Sequence, residues 1–215
     1  MSRVLYHFPM SPFSRRVRLA LAHKNLACDQ LDARSNDALL VQARESSTQM
    51  TIPVLVDQGR AIGDSLAIIN YLDVAYPDRP KLWPSNPDDA ALAFDAVAAI
   101  DGALDILVDL GSRYFTLSSH DHWSAVSSEL VGRAQRNLDR VGKVIDSLAR
   151  RTVASSGWCA ADITLMTSVL WLEGLPARVG TYAPVDRIVK LGWRLPDVLS
   201  HWADAHRGRA DVMAL

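Results

Sequence analysis

Cysteine is scarce in this sequence: Cys28 and Cys159 are the only two in 215 residues, they lie far apart, and no Cys-x-x-Cys pair or Cys/His cluster at zinc spacing occurs. A disulfide framework, a redox dithiol and a structural zinc site are therefore excluded as organising principles, and both thiols are expected to be reduced and buried. Long apolar runs are also missing, none approaching the roughly 18 residues of a membrane span. The opening "MSRVLYHFPM" lacks the apolar stretch of a secretory leader, so a cytoplasmic location with no membrane association is expected. Nor does charge of one sign accumulate. Lys and Arg number 23 against 24 Asp and Glu, for a net charge of -1, and up to residue 80 nine basic residues face eight acidic ones. Without a polybasic face, a nucleic-acid partner is not expected.

What is present is ordinary for a globular protein, with 49% hydrophobic residues. The first 80 residues alternate strand and helix signals. "RVLYHF" (3–8) is rich in β-formers, "RRVRLALAHKN" (15–25) has helical spacing at Val17, Ala20 and Leu21, and "ACDQLDA" (27–33) reads as a second strand. "TIPVLVD" (51–57) and "RAIG" (60–63), separated by Gln58-Gly59, form a hairpin. "SLAIINYLDVAY" (65–76) follows as a helix. Then "YPDRPKLWPSNPDD" (76–89) holds four of the ten prolines, the mark of an extended linker. No convincing strand follows it. Residues 88–117 are rich in Ala and Leu. In 121–150 apolar residues recur at Val126, Leu130, Ala134, Leu138, Val141, Ile145 and Leu148, the stripe of one long helix. A third helix runs from near Cys159 to Gly174 and a last one from about Pro196 to Arg207, making a helical bundle. The expected division is 1–76, a linker at 77–88, and 89–215.

Three stretches carry chemistry. Pro53 heads an apolar strand, where it removes a ladder donor. Base rates favour a trans Ile52-Pro53 bond; a cis bond would turn the Ile52 backbone outward to pair with an extended ligand. Asp64-Ser65 opens a helix, whose unpaired N–H groups suit a carboxylate while the Asp side chain suits an amine, together the head group of an α-amino acid. Read alone, this pair is a plain N-cap. Ser11-Pro12-Phe13-Ser14 has the spacing of a redox Cys-x-x-Cys motif with hydroxyls in place of sulfur.

Together, a strand-turn-helix with Ser-x-x-Ser, a "TIPVLVD" hairpin, a "GDSLAIINYLD" helix start and an all-helical second half resemble the glutathione S-transferase superfamily over essentially the whole chain. "GWCAADITLMTSVLWLE" (157–173) resembles the family's buried helix, with Cys159 at the cap, Asp162 at the third helical position, and Trp158 and Ile163 placed as a hydrophobic staple. A thiol is a poor cap acceptor. The resemblance implies an α/β thioredoxin-like N-terminal domain that binds glutathione and an all-α C-terminal domain that completes a pocket for a small hydrophobic electrophile, in a homodimer. It implies that Ile52, before Pro53, pairs with the cysteinyl backbone of glutathione, and that Asp64 and Ser65 hold its γ-glutamyl end.

The activating hydroxyl depends on subfamily. The tyrosine-type position falls on His7, and Tyr6 is turned to the other face by strand alternation. The serine-type position falls on Ser11, with Ser14 second, and "SPFSRRVRLALAHK" is similar to the zeta class, which includes cis-trans isomerases of maleyl compounds. A Ser11 O–H donated to sulfur, helped by the helix N-terminus and Arg15, favours the thiolate. Where relatives carry Asn-Pro-x-Gly-Lys-Val-Pro, this chain has "SSTQMTIP" (46–53), so Gln49 or Arg44 is expected to replace the lysine, at whose place Thr51 stands. Arg15, Arg16 and Arg18 read as a solvated face. Arg113 and Tyr114 are candidates for the electrophile pocket. His120 and His122, lacking a third ligand, read as a polar loop with no metal, and Trp193 and Trp202 read as core. Two functions remain open: a transferase or isomerase, and a non-catalytic interaction module on the same fold. A reductase or peroxidase is disfavoured because neither Ser11 nor Ser14 is a cysteine.

Overall fold

The computed structural model describes residues 3–156 and 158–215, and side chains outside 146–157. Leu148, the last position of the long apolar stripe, and Gly157 lie outside the described residues and side chains. Strand β1 (Val4–His7) leads through helix α1 (Pro12–His23) to β2 (Asp29–Asp32), which pairs parallel to it, the β-α-β unit expected from the sequence. Strands β3 (Val54–Asp57) and β4 (Arg60–Gly63) form the hairpin, and β3 lies antiparallel to β1, for an order β2-β1-β3-β4. Its turn residues Gln58 and Gly59 both have positive φ, 51° and 78°, as a two-residue hairpin loop requires. Helix α3 (Ser65–Ala75) follows directly.

Beyond the proline-rich stretch, the described residues form helices: α4 (Pro87–Ser112), a 3₁₀ turn at Phe115–Ser119, α5 (Trp123–Ser156), α6 (Ala160–Gly174), α7 (Ala183–Lys190), α8 (Asp197–His206) and α9 (Ala210–Met213). Helix α6 is the centre of the molecule. Every residue from Ala160 to Val169 is buried, as befits a helix apolar all round. Two of its buried hydroxyls bond to its own backbone: Thr167 Oγ1 donates to Ile163 O at 3.0 Å and Ser168 Oγ to Thr164 O at 2.6 Å. The cysteine at its cap is compensated from both sides. Asp162 accepts from Cys159 N–H at 2.9 Å, and Ala160 N–H donates to Leu82 O at 2.6 Å. Helix α1 packs α3 on one side and α6 on the other, burying Val17, Ala20 and Leu21, each worth roughly 1–3 kcal/mol in apolar transfer.

Several expectations need correction. Helices α2 (Asp37–Glu45), α7 and α9 were not anticipated. In α2 only Ala43 is buried, so its apolar stripe is too thin to read, although Asn36 caps it by accepting from Ala38 N–H at 2.8 Å. The stripe of α5 turns inward only from Leu130, because Val126 is exposed. Cys28 is half-buried, not buried like Cys159. Most consequentially, the basic run of α1 is not a solvated face. Arg16 is 1% exposed, and Arg15 and Arg18 are half-buried and donate to main-chain carbonyls, of Pro9 and of Ala214 and Leu215. Lys24 is fully buried at the end of α1, its Nζ donating to Asp73 at 3.0 Å and to the Pro80 and Tyr76 carbonyls.

Candidate functional site

Between the sheet edge and the helical half lies a cleft of about 740 Å³. Several separated stretches reach it, among them Ser11 at the head of α1, Gln49 to Pro53 before β3, Asp64 and Ser65 at the head of α3, and residues of α4, α6 and α7.

Ser11 is the N-cap of α1. Its φ of -73° and ψ of 131° are extended, and its Oγ accepts from Ser14 N–H at 3.4 Å, which leaves its own hydrogen free to donate into the cleft. Pro12 at the first helical position lacks an N–H, as that position tolerates. Ser14 differs. It is fully buried behind the cleft wall, its Oγ accepts from Phe8 N–H at 3.1 Å, and it does not line the cavity. Neither Tyr6 nor His7 lines it either. His7 is 6% exposed; burial first, and the positive charge of Arg18 second, push its pKa down.

The Ile52-Pro53 bond is cis, against the base rate that the sequence offers. The β1–β3 ladder begins at Val54, so Ile52 stands outside it on the cleft wall. The loop before it is held by a close approach. A Cβ on Gly63 would come within 1.9 Å of Ser47 Oγ and 2.8 Å of Ser47 Cβ, so β4 and the loop meet only because residue 63 is glycine. The loop in turn carries Gln49, Met50 and Thr51 to the cavity, with Arg44 from α2 beside them.

Asp64 takes φ 67° and ψ 132°, a strained conformation for a residue with a Cβ, of order 1–3 kcal/mol. It is held by two bonds from the first turn of α3 to Oδ1, Leu66 N–H and Ala67 N–H, each 2.9 Å, leaving Oδ2 outside the cap. Ser65 is buried, and its Oγ accepts from Arg16 at 3.2 Å. The same Arg16 guanidinium pairs bidentately with Asp101 of α4, one bond at 3.0 Å. Arg16 thus ties α1, α3 and α4 together directly beneath Asp64-Ser65, a role that its place in a basic run concealed. The apolar spacing of α4, which turns Asp101 toward α1, was the one signal that could have indicated it.

Asp105, one turn beyond Asp101, lines the cleft and was also missed. Its carboxyl is pushed up to about 6, by desolvation first and then by Asp101, Asp109 and Asp64, with Arg16 opposing. Arg113 lines the cleft as expected and pairs with Asp109 at 3.0 Å; Tyr114 does not reach it. Two further guanidiniums, Arg34 after β2 and Arg178 after α6, complete the charged lining. Among the described residues no group of three or more His, Cys, Asp or Glu side chains could hold a metal, and no helix is long and apolar enough to cross a membrane. Chemically, the arrangement offers a free hydroxyl donor at a helix N-terminus, an unpaired backbone edge, and a carboxylate beside a second helix N-terminus.

Residues 5–80 match the family described as glutathione S-transferase, N-terminal domain. A probable glutathione S-transferase of Oryza sativa subsp. indica is 34% identical over 126 residues, which make up 57% of this chain and 54% of that protein, so the chain spans about half the length of this relative. Glutathione S-transferase D7 of Drosophila melanogaster is 28% identical over 92% of this chain and 86% of its own. Among solved structures, a glutathione S-transferase of Methylobacillus flagellatus with glutathione bound superposes with a TM-score of 0.75 at 21% identity, covering 99% of this chain and 98% of its own. A rice glutathione S-transferase in complex with glutathione gives 0.66 at 24%, covering 99% and 89%. The N-terminal region is thus similar to the glutathione S-transferase N-terminal domain, and the whole chain shares the fold of these glutathione S-transferase structures.

Proposed function

We propose that the protein is a glutathione-dependent transferase or cis-trans isomerase in which Ser11 stabilises the glutathione thiolate for attack on a small hydrophobic electrophile. The observation that carries this reading is the convergence of Ser11, Ile52, Asp64 and Ser65 on one cleft, each with bonding capacity left over. In this reading residues 1–76 hold glutathione. Ile52 pairs with its cysteinyl backbone, Asp64 and Asp105 receive its α-amine, the Ser65 hydroxyl and the α3 N-terminus receive its α-carboxylate, and Gln49 and Arg44 receive the glycyl end. Residues 89–215, after the linker at 77–88, hold the electrophile. A homodimer in the cytoplasm belongs to the same reading.

A free thiol near pKa ~8.5 is mostly protonated at neutral pH. The Ser11 O–H donates to the sulfur, and the α1 N-terminus adds its partial positive charge, so the anion is favoured. Each pH unit of lowering is about 1.4 kcal/mol of differential stabilisation, within reach of one hydrogen bond and a helix terminus for one to two units. As a transferase, the thiolate bonds to an electrophilic carbon and leaves as the conjugate. As an isomerase, it adds to a conjugated double bond, the former double bond rotates, and elimination returns glutathione.

The test is calorimetric titration with reduced glutathione beside Asp64→Ala and Ser11→Ala. The expected result is binding by the wild type, weakened at least tenfold by Asp64→Ala. Absence of binding at millimolar glutathione refutes the reading. Glutathione recovered unchanged after turnover identifies the isomerase, and its consumption the transferase.

A further inference from the structure

The charges that line the cleft are unevenly paired. At the end near Asp64 stand the carboxylates of Asp105 and Asp64, with Arg16 committed to Asp101 beneath them. At an apolar end, beside Phe8, Trp171 and Tyr182, stand Arg178 and Arg34, which like Arg44 elsewhere in the lining have no carboxylate within ion-pair distance among the described residues.

Each is fixed in place without being neutralised. Arg178 Nε donates to Gly174 O at 3.1 Å and one terminal nitrogen to Trp171 O at 3.3 Å, so the last turn of α6 aims the group while its other terminal nitrogen has no hydrogen-bond partner among the described residues. Arg34 lies over the Phe8 ring at 4.2 Å and near the Tyr182 ring at 5.5 Å, held by faces that carry no formal charge. Asp109, the carboxylate on the facing wall, is taken by Arg113. Arg34 is exposed at the cleft surface, whereas Arg178 is half-buried and held by carbonyls alone, a poor element of a pocket for neutral hydrocarbons because its desolvation has no compensating anion. It is a good element for binding an anionic ligand, since the planar fork matches a carboxylate.

We propose that the second substrate is an electrophile bearing a carboxylate, which Arg178 and Arg34 hold at the apolar end of the cleft while the reacting carbon faces Ser11. The inference rests on the glutathione-dependent function above and names its substrate class. It replaces the purely hydrophobic electrophile expected from sequence with an amphipathic, anionic one.

The experiment compares 4-chloro-3,5-dinitrobenzoate with its neutral methyl ester, glutathione being saturating. In both, the thiolate sulfur bonds to the chlorine-bearing carbon, chloride leaves with the electron pair of the C–Cl bond, and the thiol proton passes to buffer. The wild type is expected to favour the benzoate over the ester at least fivefold in kcat/KM, through KM. Arg178→Gln is expected to reduce that preference about tenfold, Arg34→Gln to reduce it by a smaller factor, and Arg178→Lys, which keeps the charge, to restore most of it. If Arg178→Gln fails to fold, Arg34→Gln and competition between the carboxylate-bearing and esterified S-aryl glutathione conjugates in the wild type decide the same question. Equal or reversed preference in the wild type, or a preference untouched by either glutamine variant, overturns the inference while leaving glutathione binding intact. Loss of glutathione binding itself overturns the underlying function and this inference with it.

Discussion

Ser11 and Ser14 are three residues apart and chemically identical, yet the fold gives them opposite tasks. Ser14 satisfies a backbone N–H behind the cleft wall, whereas Ser11 keeps a donor for the cavity. Under the proposed function, Ser11→Ala is therefore expected to raise the pKa of the glutathione thiol by about one to two units, read from the ultraviolet absorbance of the thiolate, with little change in binding. Ser14→Ala leaves the part-buried Phe8 N–H without its partner and is expected to lower stability by about 1 kcal/mol in denaturant unfolding. At the same scale the two thiols are inert. Burial pushes Cys28 up to about 11 and Cys159 up to about 12, Asp162 adding to the latter, so neither should be alkylated by iodoacetamide at pH 8 until the protein unfolds.

Elements hold the site through a few close contacts. The β4–loop approach at Gly63 has no room for a methyl group, because the atoms met are the short side chain of Ser47 and no flexible end can swing aside. Gly63→Ala should displace residues 46–51, costing about 1–3 kcal/mol as overpacking does and weakening glutathione binding more than stability alone explains. The Arg16–Asp101 pair joins α1 to α4 beneath α3. Asp101→Ala strands a buried guanidinium and is expected to cost about 3–5 kcal/mol, measured by urea unfolding. Much at this scale was legible. The strands, the hairpin turn, the Asp64 cap and the long helices follow from periodicity and turn chemistry, which act between near neighbours. The short helices α2 and α7 were not, since α2 buries only Ala43 and the stripe of α7, Val185, Ile188 and Val189, spans too few residues to read.

At the scale of the whole molecule, buried ionisable groups set the response to acid. The lowered folded-state pKa of His7, and likewise of His23, means the unfolded chain binds protons more readily, so their contribution to stability is present above about pH 6.5 and is lost as pH falls below it. Asp105 acts in the opposite sense. Its raised pKa favours the folded state below the ordinary carboxylate range near 3.8, an effect lost as pH rises through about 6, and solvent screening of this exposed group keeps it below about 1 kcal/mol. The melting temperature is thus expected to fall from pH 7 to pH 5.5, His7→Gln to flatten that decline, and Asp105→Asn to raise the melting temperature at pH 7.

The sequence by itself determined the kind and order of the strands and long helices, the absence of a thiol at the α1 head, and the stretches that line the candidate cleft, because each is written in spacing, capping and turn residues over a few positions. Only the tertiary structure decided which serine faces the cleft, that Arg16 is a buried tie and no surface charge, and that Arg178 and Arg34 stand without carboxylates at the apolar end. Those facts depend on which neighbours arrive from distant parts of the chain. The burial of a charge and the identity of its partner are properties of packing, to which local pattern is blind.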